Sequence, residues 1–339
     1  MENSSSSQST KKILLDSVRG FMKAKALQAA AELNIADLLN NSSKSAEELA
    51  RITDTHAPSL YRLLRALASE GIFHENQQGC FENTPLSEPL RSDIPDSVRD
   101  NIRYIPNDGN IQAWMRFMDV LQTGEPVFEQ ANGLPVWEYL KEQPDLEQIF
   151  DISMTRLTTF HCDTIVNNCD FSSARTIIDI GGGQGLLLAR ILLAYPQLRG
   201  ALFERDSVAP RAEEYLAAQG VADRSKVILG NFLEKIPEGY DIYTMKHVLH
   251  DWSDDHAHQI LCRCRKAIPP HGKLVIFDKI LSQAEGSAAV NWIDLHMLVT
   301  LGGKERSVEE FDTLLTHAGF TMTGATSLQV TGMVEASPA

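Results

Sequence analysis

The first stretch with readable chemistry is a glycine run. Ile177-Ile178-Asp179-Ile180 leads directly into Gly181-Gly182-Gly183-Gln184-Gly185, and the helical sequence LLLARILLAY follows. Glycines at a strand end let the backbone turn sharply and approach a ligand closely. The helix that follows offers unbonded N–H groups and partial positive charge, which suits a carboxylate. Glu204 closes the next apolar strand, and its carboxylate can accept both hydroxyls of a ribose. Strand, glycines, helix and strand-end acid together point to a nucleoside-bearing cofactor. A dinucleotide site wants glycine at the first, third and sixth positions. Here the sixth position is Leu186, and the glycines are Gly181, Gly183 and Gly185. That compact spacing favours S-adenosylmethionine, which has no pyrophosphate to cradle, over a nicotinamide cofactor.

Downstream lie His247, His250, His256 and His258. A metal site built from them lacks a matching carboxylate cluster or zinc spacing, so no metal is expected. Cys262 and Cys264 are two apart on a helix and face different sides. The five cysteines form no disulfide framework, which fits reduced thiols in a cytoplasmic protein.

These groups need a scaffold, and the chain shows two textures. From Lys12 to Asp100 the pattern is helical. Ala26 to Leu39 has apolar residues at helical spacing, and Ser45 with Glu48 forms a capping-box signature before AEELARI. SLYRLLRALASEG follows, stopped by Gly71, and Ile72 to Leu86 reads as two short strands around Gln77-Gln78-Gly79. Three helices and a hairpin are the winged-helix order. Charge opposes DNA binding, since residues 1–100 hold 11 Lys/Arg against 14 Asp/Glu, and a DNA reader needs a basic stripe. A structural, homodimerising role fits better. Residues 106–170 read as a helical connector rich in aromatics and Met. It is either plain helix packing or a wall for a flat ligand.

From Thr176 onward the strand candidates TIIDI, GALFE, KVILG, YDIYTM and KLVIF alternate with helices, the pattern of a doubly wound parallel sheet. The expected fold is therefore α/β, with a Rossmann-like domain after a winged-helix-like one. The boundaries are a disordered tail 1–11, a dimerisation domain 12–105, and connector plus catalytic domain 106–339. MENSSSSQSTKK lacks the apolar stretch of a signal peptide, and no apolar run approaches the ~20 residues that span a bilayer. A net charge of −14 argues against nucleic acid and anionic membranes as partners.

GNFLEKIPEGYDIYTMKHVLHDWSDDHAHQILCRCRKAIPPHGKLVIFDKIL and DLHMLVTLGGKERSVEEFDTLLTHAGF resemble the plant-type small-molecule O-methyltransferases, which include caffeate, hydroxyindole and bacterial polyketide-tailoring members. AELNIADLL, LYRLLRALASEGIF and LQTGEPVFEQANG resemble that family's N-terminal dimerisation region, so the likeness covers nearly the whole chain. The resemblance implies that Asp179, Gly181, Gly183 and Gly185 shape the cofactor loop and that Glu204 binds ribose, where the family usually has Asp. It places Asn231, Phe232 and Trp252 beside adenine and Lys246 against the cofactor. It makes His250 the general base, flanked and oriented by Asp278 and Glu305, with Asp278 standing where Glu is usual. Phe150, Met154, His296 and Met297 fall where the family lines its acceptor pocket.

The chemistry agrees. Methyl transfer from a sulfonium is an in-line displacement, and holding the acceptor oxygen at near-attack distance can be worth ~7–11 kcal/mol. The hydroxyl must lose a proton. An unperturbed histidine, with a pKa of about 6.5, is mostly neutral at pH 7 and can take it. The expected activity is transfer of methyl to a hydroxyl of a small, largely aromatic molecule, leaving S-adenosylhomocysteine. The alternative is a non-methylating step on the same fold, pericyclic, hydroxylating or decarboxylating.

Overall fold

The computed structural model describes residues 11–281, 288–328 and 331–339, so positions 1–10 of the expected tail lie outside the described residues. The chain forms two compact units, Met1–Asp108 with Gln148–Arg156, and Gly109–Glu147 with Leu157–Ala339.

In the first unit, local capping sets the helix starts. Ser45 Oγ accepts from the Glu48 N–H at 3.2 Å and Glu48 Oε2 accepts from the Ser45 N–H at 2.7 Å, opening the helix Ala46–Thr53. The next helix, Ala57–Ser69, has Pro58 in its first turn and buries Leu60, Leu64 and Leu67 on one face. Strand β1 (Lys44–Ser45) pairs with β3 (Cys80–Asn83), which pairs in turn with β2 (Phe73–Glu75). Asn76 Oδ1 closes the β2–β3 turn by accepting from the N–H groups of Gln78 and Cys80. Ile35, Leu49, Leu64, Phe73 and Phe81 fill the core between helices and hairpin.

The second unit is built on seven strands. They are β4 (Thr176–Ile180), β5 (Arg199–Glu204), β6 (Ser225–Leu229), β7 (Ile242–Lys246), β8 (Lys273–Phe277), β9 (Phe320–Ser327) and β10 (Gly332–Pro338). They lie in the order β6-β5-β4-β7-β8-β10-β9. Strands β4 to β8 pair in parallel, and β10 is antiparallel to both β8 and β9. The parallel strands are those the apolar runs anticipate. The closing hairpin is not anticipated, because FTMTGATS in β9 has only weak apolar alternation. Ile177 and Ile178 point to opposite faces, each into its own buried layer. Both faces are covered, which is why these strands are apolar throughout.

The chain winds from β4 outward through β5 and β6, then returns to place β7 on the other side of β4. That reversal opens a crevice at the carboxyl ends of β4 and β7, the place where such sheets bind ligands.

Candidate active site

The glycine loop lies at this crevice. Gly181, Gly183 and Gly185 have φ of 66°, 60° and 86°, the left-handed region that side chains disfavour. Gly182 is needed for a different reason. A Cβ there would lie 2.2 Å from Asp179 Oδ2 and 2.6 Å from Leu202 Cδ1. Asp179 is buried and accepts from the Thr244 hydroxyl at 2.7 Å. Burial pushes its carboxyl up to about 6. Glu204, ending β5, grips the loop itself. Its Oε1 accepts from the Gly183 N–H at 3.0 Å and its Oε2 from the Arg205 N–H at 2.8 Å. The helix Leu186–Ala194 then starts with no side-chain cap at Gly185, leaving its first N–H groups to a ligand.

Phe232 and Trp252 meet edge to face, with centroids 5.9 Å apart, and Phe232 also lies beside Gly181. They form an aromatic corner next to the loop. Asn231 is exposed, and its Oδ1 accepts from the Leu233 N–H at 2.9 Å. Lys246 closes β7 with its Nζ 3.3 Å from His247 Nδ1, and burial lowers its pKa to about 8.

His250 follows β7 in the short turn Leu249–Asp251. Its Nδ1 lies 2.8 Å from Oε1 of the fully buried Glu305, and its Nε2 lies 3.4 Å from Asp251 Oδ1. The backbone of this turn is held from behind. Arg306, 1% exposed, donates to the carbonyls of Leu249 and Trp252 at 2.9 and 2.8 Å and to Asp254 Oδ1 at 2.9 Å. Gly303 packs against the His250 carbonyl so tightly that a Cβ would come within 2.0 Å of it. The Glu305 N–H donates to Asp294 Oδ1 at 2.8 Å.

Electrostatics corrects one sequence expectation. His250 is not an unperturbed histidine. Burial alone would lower its pKa, but Asp251, Glu305 and Asp278 overcome that and push it up to about 9. Burial likewise pushes Asp251 up to about 7 and raises Asp278. Asp278 departs from its expected role in part. It contributes charge near His250, yet among the described residues neither of its buried oxygens has a hydrogen-bond partner. The ring is held by Glu305 at Nδ1, with Asp251 beside Nε2.

Among the described residues, buried polar atoms without a hydrogen-bond partner gather here: His161 Nδ1, His247 Nε2, both Asp278 oxygens and Glu305 Oε2. The rings of His161, His247 and His250 form a run with centroid spacings of 5.4 and 5.2 Å, and His247 has a strained φ of 52°. Each unpaired buried group costs ~1–3 kcal/mol. Their concentration beside an open glycine loop fits a site completed by a polar ligand carrying carboxylate, ribose and sulfonium. Among the described residues no group of three or more His, Cys, Asp or Glu is arranged to hold a metal ion.

Of the expected acceptor-pocket residues, His296 and Met297 lie on the helix Ala288–Thr300, which Asp294 ties to Glu305. Phe150 and Met154 belong to the first unit, where Phe150 packs on Tyr104 at 5.0 Å. Sequence reading missed Arg306, Gly303, Asp294 and His161, and took Trp114 only as one of the connector aromatics that pack helices or wall a flat ligand. Only the Gly-Gly-Lys-Glu-Arg-Ser motif hinted at the first two.

Residues 114–321 match the model of the O-methyltransferase domain, and residues 15–93 match the O-methyltransferase dimerisation domain. The chain is 40% identical to the phenazine O-methyltransferase of Lysobacter antibioticus, covering 91% of each chain. It is 37% identical to the mitomycin biosynthesis 6-O-methyltransferase of Streptomyces lavendulae, covering 90% of this chain and 87% of that one. Among solved structures, it resembles an O-methyltransferase from neocarzinostatin biosynthesis in complex with S-adenosylmethionine and 2-hydroxy-5-methyl naphthoic acid. That likeness has a TM-score of 0.85 at 30% identity and covers 94% of this chain and 96% of the other.

Proposed function

The chain belongs to the O-methyltransferase family, and from that premise we propose that it moves the methyl group of S-adenosylmethionine to a hydroxyl of a small aromatic acceptor, with His250 as general base. The observation that carries the reading is the His250–Glu305 pair, 2.8 Å apart and buried at the carboxyl edge of the sheet. When bound, S-adenosylmethionine supplies an activated methyl group and leaves as S-adenosylhomocysteine. Everything else falls to the protein. The glycine loop and the helix Leu186–Ala194 receive the carboxylate end, Glu204 receives the ribose, and Asn231, Phe232 and Trp252 enclose the adenine. Asp179 shapes the loop and Lys246 contacts the cofactor.

Glu305 orients His250 by accepting its Nδ1–H, which leaves the Nε2 lone pair for the acceptor hydroxyl. The imidazolium formed is stabilised by Glu305, Asp251 and Asp278. The raised pKa gives His250 a second use, because an acceptor arriving already ionised meets a positive ring. His296 and Met297 supply acceptor contacts.

Residues 12–105 pair two copies into a homodimer, supported by the dimerisation match at 15–93. No described helix is long and apolar enough to cross a membrane, and the net charge of −14 disfavours nucleic acid. We read the enzyme as cytoplasmic.

The test is to incubate the protein with S-adenosylmethionine and a panel of phenols, hydroxyquinones and arylamines. Product and S-adenosylhomocysteine are then counted by mass spectrometry. One S-adenosylhomocysteine per product is expected. Product without it would instead favour a non-methylating step.

A further inference from the structure

The helix Ala288–Thr300 carries a histidine whose protonation pattern is fixed by its neighbour. An indole N–H can only donate. Trp114 Nε1 lies 3.0 Å from His296 Nδ1, and the two ring planes are 5° apart. His296 Nδ1 therefore presents its lone pair, and the ring proton sits on Nε2. Burial lowers the pKa of His296 to about 4, so the ring stays neutral over the working range. Among the described residues Nε2 has no hydrogen-bond partner, and it is not one of the side-chain atoms sealed from solvent. Two anchors fix the helix that bears it. Asp294, two residues earlier, accepts from the N–H of Glu305, the residue that holds His250. Near its end the Val299 carbonyl accepts from the Val127 N–H at 3.1 Å.

A neutral, rigidly held N–H on this helix is a donor in want of an acceptor atom. We infer that His296 reads a second polar atom of the methyl acceptor. Its Nε2–H donates to a carbonyl, carboxylate or ring-nitrogen lone pair carried in addition to the hydroxyl that is methylated. Trp114 is the positioning residue that locks the required tautomer. The inference rests on the methyltransferase reading and deepens it by naming the substrate class. A plain phenol would leave the donor unpaired on binding, and sites with buried polar groups discriminate against ligands that fail to satisfy them.

The test compares a hydroxynaphthoate with the naphthol that lacks its carboxylate. Both are assayed with the wild type, His296→Leu, His296→Gln and Trp114→Phe. His296→Leu should lower kcat/KM for the hydroxynaphthoate roughly 10- to 100-fold, the size of one hydrogen bond to a charged group, and change that for the naphthol less than about 3-fold. His296→Gln, which keeps a donor, should restore most of the loss. Nitrogen-15 NMR of the wild type should show a protonated Nε2 and bare Nδ1 at His296, becoming a tautomer mixture in Trp114→Phe. Unchanged affinity for S-adenosylmethionine shows that each variant is folded. Equal losses for both acceptors, no loss for either, or an Nδ1–H tautomer in the wild type would overturn the inference. Calorimetry with the same two ligands reads the preference without turnover. Absence of methyl transfer, which strikes the broader reading, is thereby separated from absence of the His296 contact.

Discussion

His250 Nδ1 and Glu305 Oε1 stand 2.8 Å apart, with Glu305 wholly buried. With Glu305 Oε1 accepting, Nδ1 donates and Nε2, 3.4 Å from Asp251 Oδ1, is left as the basic nitrogen. Asp251, Glu305 and Asp278 together raise the proton affinity. Bringing negative charge to a buried ring overcomes desolvation and stabilises the imidazolium. The Glu305 contact thus decides which nitrogen reacts, and together with Asp251 and Asp278 it sets the pH at which that nitrogen is free.

Replacing His250 with Ala should reduce methyl transfer to an ordinary phenol at least ~10²-fold, the lower end for a positioned base. Affinity for S-adenosylmethionine should stay within a few fold, because the glycine loop and Glu204 are untouched. Steady-state kinetics beside calorimetry measure the two. Wild-type turnover of a weakly acidic phenol by the variant would remove His250 from the mechanism. A strongly acidic hydroxyquinone, ionised beforehand, should show a smaller loss.

Glu305→Gln is the sharper probe. The amide can donate to Nδ1, forcing the proton onto Nε2 and removing the basic lone pair. A kcat loss of roughly 10²–10⁴-fold is expected. The variant also removes a charge that raises the His250 pKa, so the residual activity should have its pH limb shifted toward acid. A full-rate variant with an unmoved pH profile would mean that Glu305 is only a packing residue.

With a weakly acidic phenol, kcat/KM should climb as pH rises toward about 9, where the free-enzyme His250 loses its proton. The sign for stability is the reverse. A histidine whose folded pKa exceeds its unfolded value of about 6.5 contributes stability that is complete below that value and lost as pH rises through about 9. Tm should therefore fall from pH 7 to 10 more steeply in wild type than in His250→Ala. A kinetic limb near 6.5 would show that the surrounding carboxylates do not govern the ring.

The parts legible in the sequence are local ones. The glycine loop, Glu204 at a strand end and Ser45 with Glu48 all follow from neighbours in the chain. His250 and Glu305 were reached through a resemblance, since nothing in their own flanks says that residues 55 apart will touch. Trp114 was read as a connector aromatic and His296 as an acceptor-pocket residue, but nothing in the sequence joins them across 182 positions. Asp278 was expected to orient His250, but its lack of a hydrogen bond among the described residues depends on side-chain directions that no pattern encodes. The charge state of His250 was misread for a related reason. A pKa belongs to the whole buried cluster, and Asp251, the adjacent residue, was read only as part of a motif.

Gly303 supplies the last prediction. Its missing side chain is what lets the Gly302–Arg306 segment lie against the turn that carries His250. A Cβ at position 303 would come 2.0 Å from the His250 carbonyl oxygen and 2.6 Å from the Asp251 carbonyl carbon. Both are backbone atoms, so no rotamer change relieves the clash, and the turn itself must move. Arg306 pins that turn through the Leu249 and Trp252 carbonyls, so displacement also strains the buried guanidinium. Gly303→Ala should lower stability by about 3 kcal/mol, the upper range for overpacking. It should also lower kcat at least ~10²-fold by separating His250 from Glu305, with little change in cofactor affinity. Gly20→Ala is the matched control, because a Cβ there meets nothing within 4 Å, and it should be neutral or slightly stabilising in its helix. Urea unfolding and single-turnover kinetics on both variants decide the matter. If Gly303→Ala folds and turns over like Gly20→Ala, the turn is not held by close backbone contact, and the account of how His250 is aimed fails with it.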